Sequence, residues 1–376
     1  MATIDQSKVG DRLRLLRTAA GITQERAAEH IGVSRPTLIA VERGERAAKP
    51  EELLKFASLY GVSLNNIVRP TAIRVDIVGQ FRKQPGADGT RAVAMLHNIA
   101  ASYAELAQRL GKTERVSYPP EQKVTRGHLD VQAQEVATDV RSRLGLGTSP
   151  VPDLVNLLEL EFGLRIFVRR LDSSIGGLFA FHEEIGACVL LNAVHSPARR
   201  RWTLSHELAH FMTSRNNPDI SYMDTGEKGP DDIFADRFAA HFLMPSVVVR
   251  RIHSERMTQE GKFTIRDLVL GAHRLGVSLE AFALRLEELD LLPKGFLEAL
   301  KKRGLNQDIV QQVLGEDFKE QTSVTSRIIQ LAAEAHERGL YSEGQLADML
   351  ALDRLDLRKA VDDYAELEDP TFLPKE

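Results

Sequence analysis

The sequence predicts a mostly helical protein with a small β-sheet, an α+β class, in which an all-α N-terminal domain precedes a central α+β domain and a helical C-terminal region. Three observations support this class. Apolar residues recur at helical spacing near the start, as in Val9, Leu13 and Leu16. The stretch "GGLFAFHEEIGACVLLN" has the pattern of a β-hairpin. At 376 residues the chain is too long for one ordinary core, so two or three domains are expected.

Composition excludes several classes of protein. The formal net charge of −4 argues against a protein wholly devoted to coating nucleic acid, although a local basic surface is compatible with it. The single cysteine, Cys188, excludes an intrachain disulfide and a cysteine-based zinc site. The N-terminus has no apolar signal core, and no apolar segment is long enough to span a bilayer. We therefore expect a cytoplasmic protein with no membrane partner.

Residues 1–70 predict short helices joined by tight turns. In "GITQERAAEHIGVSRPTLIAVERGE", Thr23 and Ser34 are expected to cap two helices, and Gly32 ends the first of them. The second helix carries short polar and basic residues at its exposed N-terminal end. This pattern predicts a helix-turn-helix whose second helix reaches base edges in the major groove. The expected DNA contacts are Gln24, Ser34, Arg35, Thr37 and Arg43.

The stretch "LRLLRTAAGITQERAAEHIGVSRPTLIAVERG" resembles the Xre (lambda-repressor/Cro-like) family, and the resemblance covers nearly all of residues 8–68. Such domains usually bind palindromes as dimers, so the resemblance implies a homodimer on double-stranded operator DNA. Residues 1–70 hold eleven Lys and Arg against eight Asp and Glu, which favours contact with DNA. A plain helical packing module is the alternative, because helix-turn-helix patterns are degenerate.

The next two regions differ in their pattern. Residues 71–130 predict a helical connector, in which loop-like stretches flank a helical segment, Ala92–Gly111. The central α+β domain is expected to span residues 131–292. Within it, β-branched residues predict a strand at Arg165–Arg169, and the second strand of the hairpin, Ala187–Asn192, is apolar. The segment "GGLFAF" is a candidate edge strand for an extended peptide.

The stretch "RRRWTLSHELAHF", residues 199–211, carries two histidines four residues apart. On a helix this spacing places His206 and His210 on one face, where both offer an imidazole nitrogen to one metal ion. Glu207 lies beside the first histidine, where it can take a proton from a zinc-activated water and pass it to a leaving amine. A surface helix with incidental histidines is the alternative. The apolar residues between them favour a buried helix, in which unliganded histidines are costly.

Together with "ADRFAAHFLMP" and "PVPDLVNLLELEFGLRIFV", this stretch resembles the ImmA/IrrE family of metallopeptidases, which implies a zincin-like fold over residues 131–292. The family's third metal ligand, normally glutamate, stands three residues before Ala235. Here that position is Asp232, and the neighbouring Asp231 is the weaker alternative. Asp236 lies on the same helical face and is expected to orient a histidine. The resemblance implies Zn2+, or Mn2+, as cofactor.

The remaining residues, 293–376, predict further helices. The segment "GLYSEGQLADMLALDRLDLRKAVDDY" has the spacing of a helix-turn-helix, but aspartates such as Asp356 and Asp362 argue against phosphate contact. We therefore expect it to serve in packing or partner binding. Elsewhere, His241 is expected to be structural. Arg199–Arg201 are expected to form a solvated basic edge, and contact with the backbone of a substrate is the alternative.

These observations predict a DNA-binding transcriptional regulator that carries a zinc-dependent endopeptidase domain. The family resemblance implies that its substrate is a repressor or antitoxin-like regulatory protein, whose cleavage relieves repression of a stress response or mobile element. The alternative is a metal-binding but non-proteolytic transcription factor, or the antitoxin of a toxin–antitoxin pair. Asp232 in place of glutamate favours that alternative. A third hypothesis joins both, with metal binding or cleavage changing operator affinity.

Overall fold

The computed structural model describes residues 6–60, 64–68, 87–112, 116–125, 127–223, 228–302, 313 and 325–368. The chain divides into two compact units. The first unit comprises Met1–Val116, Ala180–Cys188 and Val324–Glu376, and the second unit comprises Ser117–Phe179 and Val189–Ser323. Among the described residues, every helix is too short or too polar to cross a membrane.

Helices dominate the chain and accompany one four-stranded sheet, which confirms the predicted class. The five residues His206–His210, "HELAH", form an HExxH motif. In chain order, the elements that precede this motif are α1 (Gln6–Ala19), α2 (Gln24–Ile31), α3 (Arg35–Glu42), α4 (Pro50–Tyr60), α5 (Leu64–Val68), α6 (Ala87–Arg109), α7 (Leu129–Arg143), α8 (Leu154–Glu161), β1 (Arg165–Arg169), β2 (Ile175–His182) and β3 (Gly186–Asn192). The motif lies in α9 (Pro197–Thr213), and the later elements are β4 (Asp219–Tyr222), α10 (Pro230–Leu243), α11 (Ser246–Glu260), α12 (Ile265–Leu275), α13 (Leu279–Glu288), α14 (Phe296–Lys302), α15 (Ser326–Glu337), α16 (Glu343–Leu350) and α17 (Arg354–Glu368).

The turn between α2 and α3 forms where the sequence predicts it. The side chain of Thr23 caps α2 by accepting a hydrogen bond from the backbone N–H of Arg26 at 3.3 Å. Ser34 caps α3 in the same way, through the N–H of Thr37 at 3.3 Å. Gly32 ends α2 at a φ of 82°, a left-handed conformation that residues with a Cβ rarely adopt. Local sequence therefore accounts for this turn.

The helices α1 to α5 share one apolar core. Its buried members are Val9, Leu13, Leu16, Ala27, Ala28, Ile31, Leu38, Val41, Phe56 and Ile67. An ion pair joins α1 to α3, because Arg17 Nε donates to Glu42 Oε1 at 2.6 Å and Glu42 is only 3% exposed. Removing either partner would leave a buried charge uncompensated. The pair therefore fixes the orientation of α1 against α3.

Helix α6 lies in the interior of the first unit. Residues 99–107 are buried without interruption, and the helix packs against α1, α15 and α16. The hydroxyl of Tyr341 donates to Glu105 Oε1 at 2.6 Å, and Lys112 forms an ion pair with Glu334. The stretch interpreted as a connector thus contains a core helix, and the C-terminal helices pack around it.

The sheet has the strand order β1-β3-β2-β4. Strand β2 pairs antiparallel with β4, with Gly177 opposite Ser221 and Phe179 opposite Asp219. Strand β2 is therefore interior, and the expectation that "GGLFAF" forms an edge is wrong. The chain returns after α9 and adds β4 outside β2, so β4 is an edge of the described sheet. Four residues of strand give too weak a signal to predict this from sequence.

Helix α10 packs against α7 and α9 and is also held at its C-terminal end. The guanidinium of Arg141 on α7 donates to the carbonyl of Phe242 at 2.6 Å. Arg285 on α13 donates to the carbonyl of Met244 at 3.3 Å. These cations satisfy carbonyls that a helix leaves without intrahelical partners at its C-terminus. Helix α10 is therefore fixed at the end opposite its acidic N-terminal residues.

Arg201 departs from the solvated basic edge expected for residues 199–201. Its guanidinium donates to the carbonyls of Val151 at 2.8 Å and Pro152 at 2.7 Å. A Cβ at Gly276 would lie 2.6 Å from Arg201 Nε, so the α12–α13 turn closes over this side chain. Burial lowers the pKa of Arg201. Arg201 therefore anchors the segment before α8, a contact between residues distant in sequence.

Candidate metal centre and nucleic-acid interface

Helix α9 carries both histidines of the HExxH motif into the interior of the second unit. Every residue from Thr203 to Met212 is buried. His206 is 8% exposed, Glu207 is 0% exposed and His210 is 4% exposed. Polar side chains at such positions are costly unless they find partners. The partners of these three come from within the motif and from β4 and α10.

The two imidazoles face each other across one turn of α9, with His206 Nε2 and His210 Nε2 3.2 Å apart. Two nitrogens bound to one tetrahedral zinc ion at about 2.0–2.1 Å would lie about 3.3–3.4 Å apart. Asp232 joins them, and one ligand atom from each of the three residues lies within 4.8 Å of the others. These residues form a group that could hold a metal ion. Two imidazoles and a carboxylate are ligands that both zinc and manganese accept.

Asp232 reaches this group from the first turn of α10. Its Oδ2 accepts a hydrogen bond from the backbone N–H of Gly229 at 3.2 Å. A carboxylate has two oxygens, so this bond restrains the short side chain and is compatible with ligation through the other oxygen. Asp231, the weaker alternative, is exposed and lies outside the group.

Asp236 lies one helical turn further along α10 and contacts the first histidine. Its Oδ1 is 3.0 Å from His206 Nδ1, and the indole N–H of Trp202 donates to the same oxygen at 3.5 Å. The ammonium of Lys228 donates to Oδ2 at 2.5 Å. With its Nδ1 proton directed at Asp236, His206 presents the lone pair of Nε2 to a metal. Asp236 thus contacts the histidine that it is predicted to orient, and its orienting role stays a prediction.

The same contacts set the charges of the site. Burial alone would raise the pKa of Asp236, but hydrogen bonds from His206 and Lys228 outweigh it and hold the pKa well below its usual range. Burial also opposes the charged form of His206, yet Asp236 and the nearby Glu207 raise its pKa overall. Burial and the neighbouring His206 lower the pKa of His210 to about 3. His210 is therefore neutral at neutral pH, as a metal ligand must be.

Glu207 of the HExxH motif accepts a hydrogen bond from a residue of strand β4. The hydroxyl of Ser221 donates to Glu207 Oε1 at 2.6 Å. Ser221 pairs with Gly177 of β2, and a Cβ at Gly177 would lie 2.8 Å from Thr203 Cγ2 and 3.4 Å from Glu207 Oε1. Glycine there lets α9 lie close enough to the sheet for the bond to form. Sequence reasoning missed Ser221, because only strand pairing places it beside the motif.

His241 lies outside the metal group and joins three helices. Its Nε2 is 3.1 Å from Asp130 Oδ1, and Arg285 Nη2 donates to its Nδ1 at 2.9 Å. A guanidinium can only donate, so Nδ1 is the acceptor and Nε2 carries the proton. Burial and the charge of Arg285 lower the pKa of His241. A neutral histidine that links α7, α10 and α13 fits the structural role expected for it.

Three of the residues expected to contact DNA, Ser34, Arg35 and Thr37, lie at the N-terminal end of α3. Arg43 follows the last residue of α3, and Gln24 begins α2. Ser34, Arg35 and Arg43 are exposed. Arg35 Nε lies 2.9 Å from Glu25 Oε1, and both side chains are more than half exposed. The hydroxyl of Ser34 also lies 2.8 Å from that of Thr37.

Gln24 is the most internally engaged member of the predicted DNA-binding set. Its side-chain amide donates from Nε2 to Glu42 Oε2 at 3.0 Å, and it is half-buried. Glu42 in turn pairs with Arg17. Gln24 therefore adds a third side chain to the buried pair of Arg17 and Glu42. Its amide nitrogen donates to Glu42, so its amide oxygen is the atom that can accept a hydrogen bond from DNA.

Fold and site together define a class of protein, a helix-turn-helix DNA-binding domain joined to a peptidase-like unit with an HExxH helix. Comparison with known families assigns both parts. Residues 8–67 match a helix-turn-helix domain model, and residues 160–287 match the IrrE N-terminal-like domain of peptidase family M78. Both resemblances drawn from the sequence are confirmed.

Two relatives match the N-terminal region. The cryptic phage CTXphi transcriptional repressor RstR of Vibrio cholerae is 34% identical over 65 residues, which cover 17% of this chain and 59% of that protein. An uncharacterized HTH-type transcriptional regulator of Methanocaldococcus jannaschii is 35% identical over 57 residues, which cover 15% of this chain and 86% of that protein. The chain therefore belongs to the helix-turn-helix transcriptional regulators, and it carries an IrrE/ImmA-like peptidase domain in addition.

One solved structure aligns along most of the chain. The crystal structure of ComR from Streptococcus suis covers 98% of this chain and 97% of that one, with 11% identity and a TM-score of 0.17. A similarity of this size does not inform the fold.

Proposed function

We propose that the protein is a DNA-binding transcriptional regulator whose second unit is a metal-dependent endopeptidase. The observation that carries this proposal is the grouping of His206, His210 and Asp232, with ligand atoms within 4.8 Å of one another. Glu207 lies buried between the two histidines in sequence. The match of residues 160–287 to a peptidase family supports it.

The residues present fit a divalent metal ion. The two Nε2 atoms have the spacing of neighbouring ligands, and Asp232 adds the oxygen that zinc and manganese both accept. Such an ion, when bound, supplies Lewis-acid activation of water and of the scissile carbonyl. Asp236 orients His206 for ligation through its hydrogen bond to Nδ1.

In the proposed reaction, Glu207 is the proton carrier. Its carboxylate takes a proton from the attacking water, whose oxygen bonds to the carbonyl carbon, and delivers that proton to the nitrogen as the C–N bond breaks. Ser221 holds Oε1 of this carboxylate. Strand β4, on which Ser221 lies, is an edge of the described sheet and offers backbone groups to an extended peptide.

We infer that the substrate is a repressor or antitoxin-like regulatory protein. The resemblance of the second unit to the ImmA/IrrE family supports this inference. The helix-turn-helix supports double-stranded operator DNA as a partner, bound by a homodimer. Analytical ultracentrifugation with an operator selected from random duplexes would measure that stoichiometry.

The test uses full-length protein with Zn2+ or Mn2+ and the proteins encoded beside its gene. We expect cleavage of one of them at a single site by the wild type and none by Glu207→Gln, because glutamine cannot carry the proton. Metal content and operator binding should be the same in both proteins. Equal cleavage by the wild type and by Glu207→Gln would show that Glu207 is not the proton carrier.

A metal-binding but non-proteolytic transcription factor or antitoxin is the second candidate. Asp232 favours it, since the shorter side chain stands where the peptidase family normally has glutamate. Cleavage by the metal-loaded protein separates the two candidates. A wild type that binds zinc and operator but cleaves none of the proteins encoded beside its gene would support the second candidate against the first.

A further inference from the structure

Lys228 lies beside the proposed metal centre and has no role in the mechanism above. Its ammonium is 2.5 Å from Asp236 Oδ2, while the other oxygen of that carboxylate is 3.0 Å from His206 Nδ1. The side chain of Lys228 is 48% exposed and that of Asp236 is 27% exposed. One carboxylate therefore connects a half-exposed cation to a proposed metal ligand.

Three carboxylates create a negative field at this histidine. Asp236 Oδ1 lies 3.0 Å from His206 Nδ1, Asp232 offers an oxygen within 4.8 Å of a ligand nitrogen of His206, and Glu207 is the next residue on α9. The same field attracts a divalent cation. Lys228 adds a positive charge on the outer side of one of these carboxylates. The ammonium of Lys228 must therefore weaken the binding of a metal ion, whereas the three carboxylates strengthen it.

We propose that Lys228 sets the metal affinity of the centre and holds it below the value that the three carboxylates alone would give. The inference rests on the metal site of the proposed function but not on peptide cleavage.

Two physical effects act in the same direction. The ammonium repels a second cation held by His206. It also competes with His206 for the electron density of Asp236, so the carboxylate becomes a weaker acceptor for Nδ1–H and Nε2 becomes a weaker ligand. The orientation of Asp236 does not depend on Lys228 alone, because Trp202 and His206 both contact Oδ1.

The experiment measures the Zn2+ affinity of the full-length protein by competition with a chromophoric chelator. The variants are Lys228→Met and Lys228→Arg, with Lys262→Met as an exposed control outside the centre. We expect Lys228→Met to bind Zn2+ about tenfold more tightly at low ionic strength, and less so at high salt, because the charge is partly exposed. Lys228→Arg and Lys262→Met should match the wild type within about twofold.

Each outcome bears on a different claim. Equal or weaker Zn2+ binding by Lys228→Met, with unchanged Trp202 emission as a check on folding, would overturn the inference while leaving the metal site in place. A wild type that binds no Zn2+ would overturn both the proposed function and the inference. A wild type that binds Zn2+ and cleaves nothing, with tighter binding by Lys228→Met, would support the inference and contradict the peptidase.

Discussion

At the scale of single residues, a proton and a metal ion compete for the same two imidazole nitrogens. The pKa of His206 is raised and that of His210 is lowered to about 3, so a protonated His206 donates from Nε2 to the neutral His210 Nε2 across 3.2 Å. A metal ion must displace this proton before it can bind both nitrogens. Metal affinity is therefore tied to the pKa of one residue.

We expect Zn2+ affinity to be constant above the raised pKa of His206 and to fall by about tenfold per pH unit below it, since one proton is displaced. Asp236→Asn removes the carboxylate whose hydrogen bond raises that pKa. In this variant the decline should begin at a lower pH, although affinity at high pH is also reduced. Chelator competition from pH 8 to pH 5.5 measures the Zn2+ affinity and the pH at which it begins to fall. A wild-type affinity that does not change over this range would contradict the role of His206 as a metal ligand.

Ser221 should act on the rate of cleavage rather than on metal or substrate binding. Its hydroxyl fixes one oxygen of Glu207, the proposed proton carrier, at 2.6 Å. We expect Ser221→Ala to lower kcat by about tenfold with little change in KM, because the carboxylate loses its alignment. Ser221→Thr keeps the hydroxyl and should restore most of the rate. Unchanged kcat in Ser221→Ala, with zinc content equal to the wild type, would argue against this positioning role.

At the scale of elements, the centre depends on how α9, α10 and β4 are held together. Glycine at 177 allows α9 to lie against the sheet, and α10 brings its acidic first turns to α9. The C-terminal end of α10 is bound by two buried arginines, Arg141 and Arg285. Each arginine donates to backbone carbonyls and comes from a different helix. The position of α10 is thus set by contacts far from the metal ligands.

Arg141→Met should destabilise the second unit by about 2–4 kcal/mol, because the buried carbonyl of Phe242 and the carbonyl of Gly147 lose charged donors. Arg143→Met on the same helix is the matched control. Arg143 forms a half-exposed pair with Asp139, so its loss should cost less than about 1 kcal/mol. Urea unfolding followed by the emission of the single tryptophan, Trp202, reports on this unit. Equal midpoints for the two variants would contradict the anchoring role of Arg141.

At the scale of the whole molecule, the two compact units hold the two parts to which we assign different proposed functions. The helix-turn-helix core lies in the first unit and the HExxH helix in the second. The first unit is discontinuous in sequence, because α15, α16 and α17 belong to it together with α1 to α6. Truncating the chain after residue 292 would therefore remove part of the unit that holds the helix-turn-helix.

Arg35→Ala should weaken operator binding by about 1–3 kcal/mol and leave zinc content unchanged, since Arg35 is exposed at the N-terminus of the recognition helix. Fluorescence anisotropy on a selected operator, at fixed salt, measures the operator affinity, and metal analysis measures the zinc content. Lys262→Ala, in the other unit, is the control for general loss of positive charge. Operator affinity that changes on adding Zn2+ would show that the units are coupled, as the third hypothesis requires.

Much of the fold can be predicted from local sequence. Thr23, Gly32 and Ser34 specify the helix-turn-helix through caps and a left-handed turn, all within one short segment. The i, i+4 spacing of His206 and His210 fixes their common face wherever the helix lies. Such features depend on neighbours in the chain, so the sequence alone predicts them.

Contacts between distant segments could not be predicted in this way. Local sequence predicts a connector where helix α6 lies, because the burial of this helix comes from α1 and from C-terminal helices more than 200 residues away. Strand β4 is too short to carry a strand pattern, and its pairing with β2 brings Ser221 to Glu207. Lys228 lies in a polar loop, where sequence predicts solvation rather than contact with Asp236.

The sequence by itself determined the helix-turn-helix, the HExxH helix and the candidate acidic residues of α10, since caps, helical periodicity and residue type are local properties. Only the tertiary structure decided that Asp232 lies with the two histidines and that Asp236 contacts His206. It also brings Ser221 to Glu207 and Lys228 to Asp236. Those contacts depend on distances of a few ångströms between segments far apart in the chain. Packing of α9, α10 and β4 sets these distances, and no local pattern encodes them.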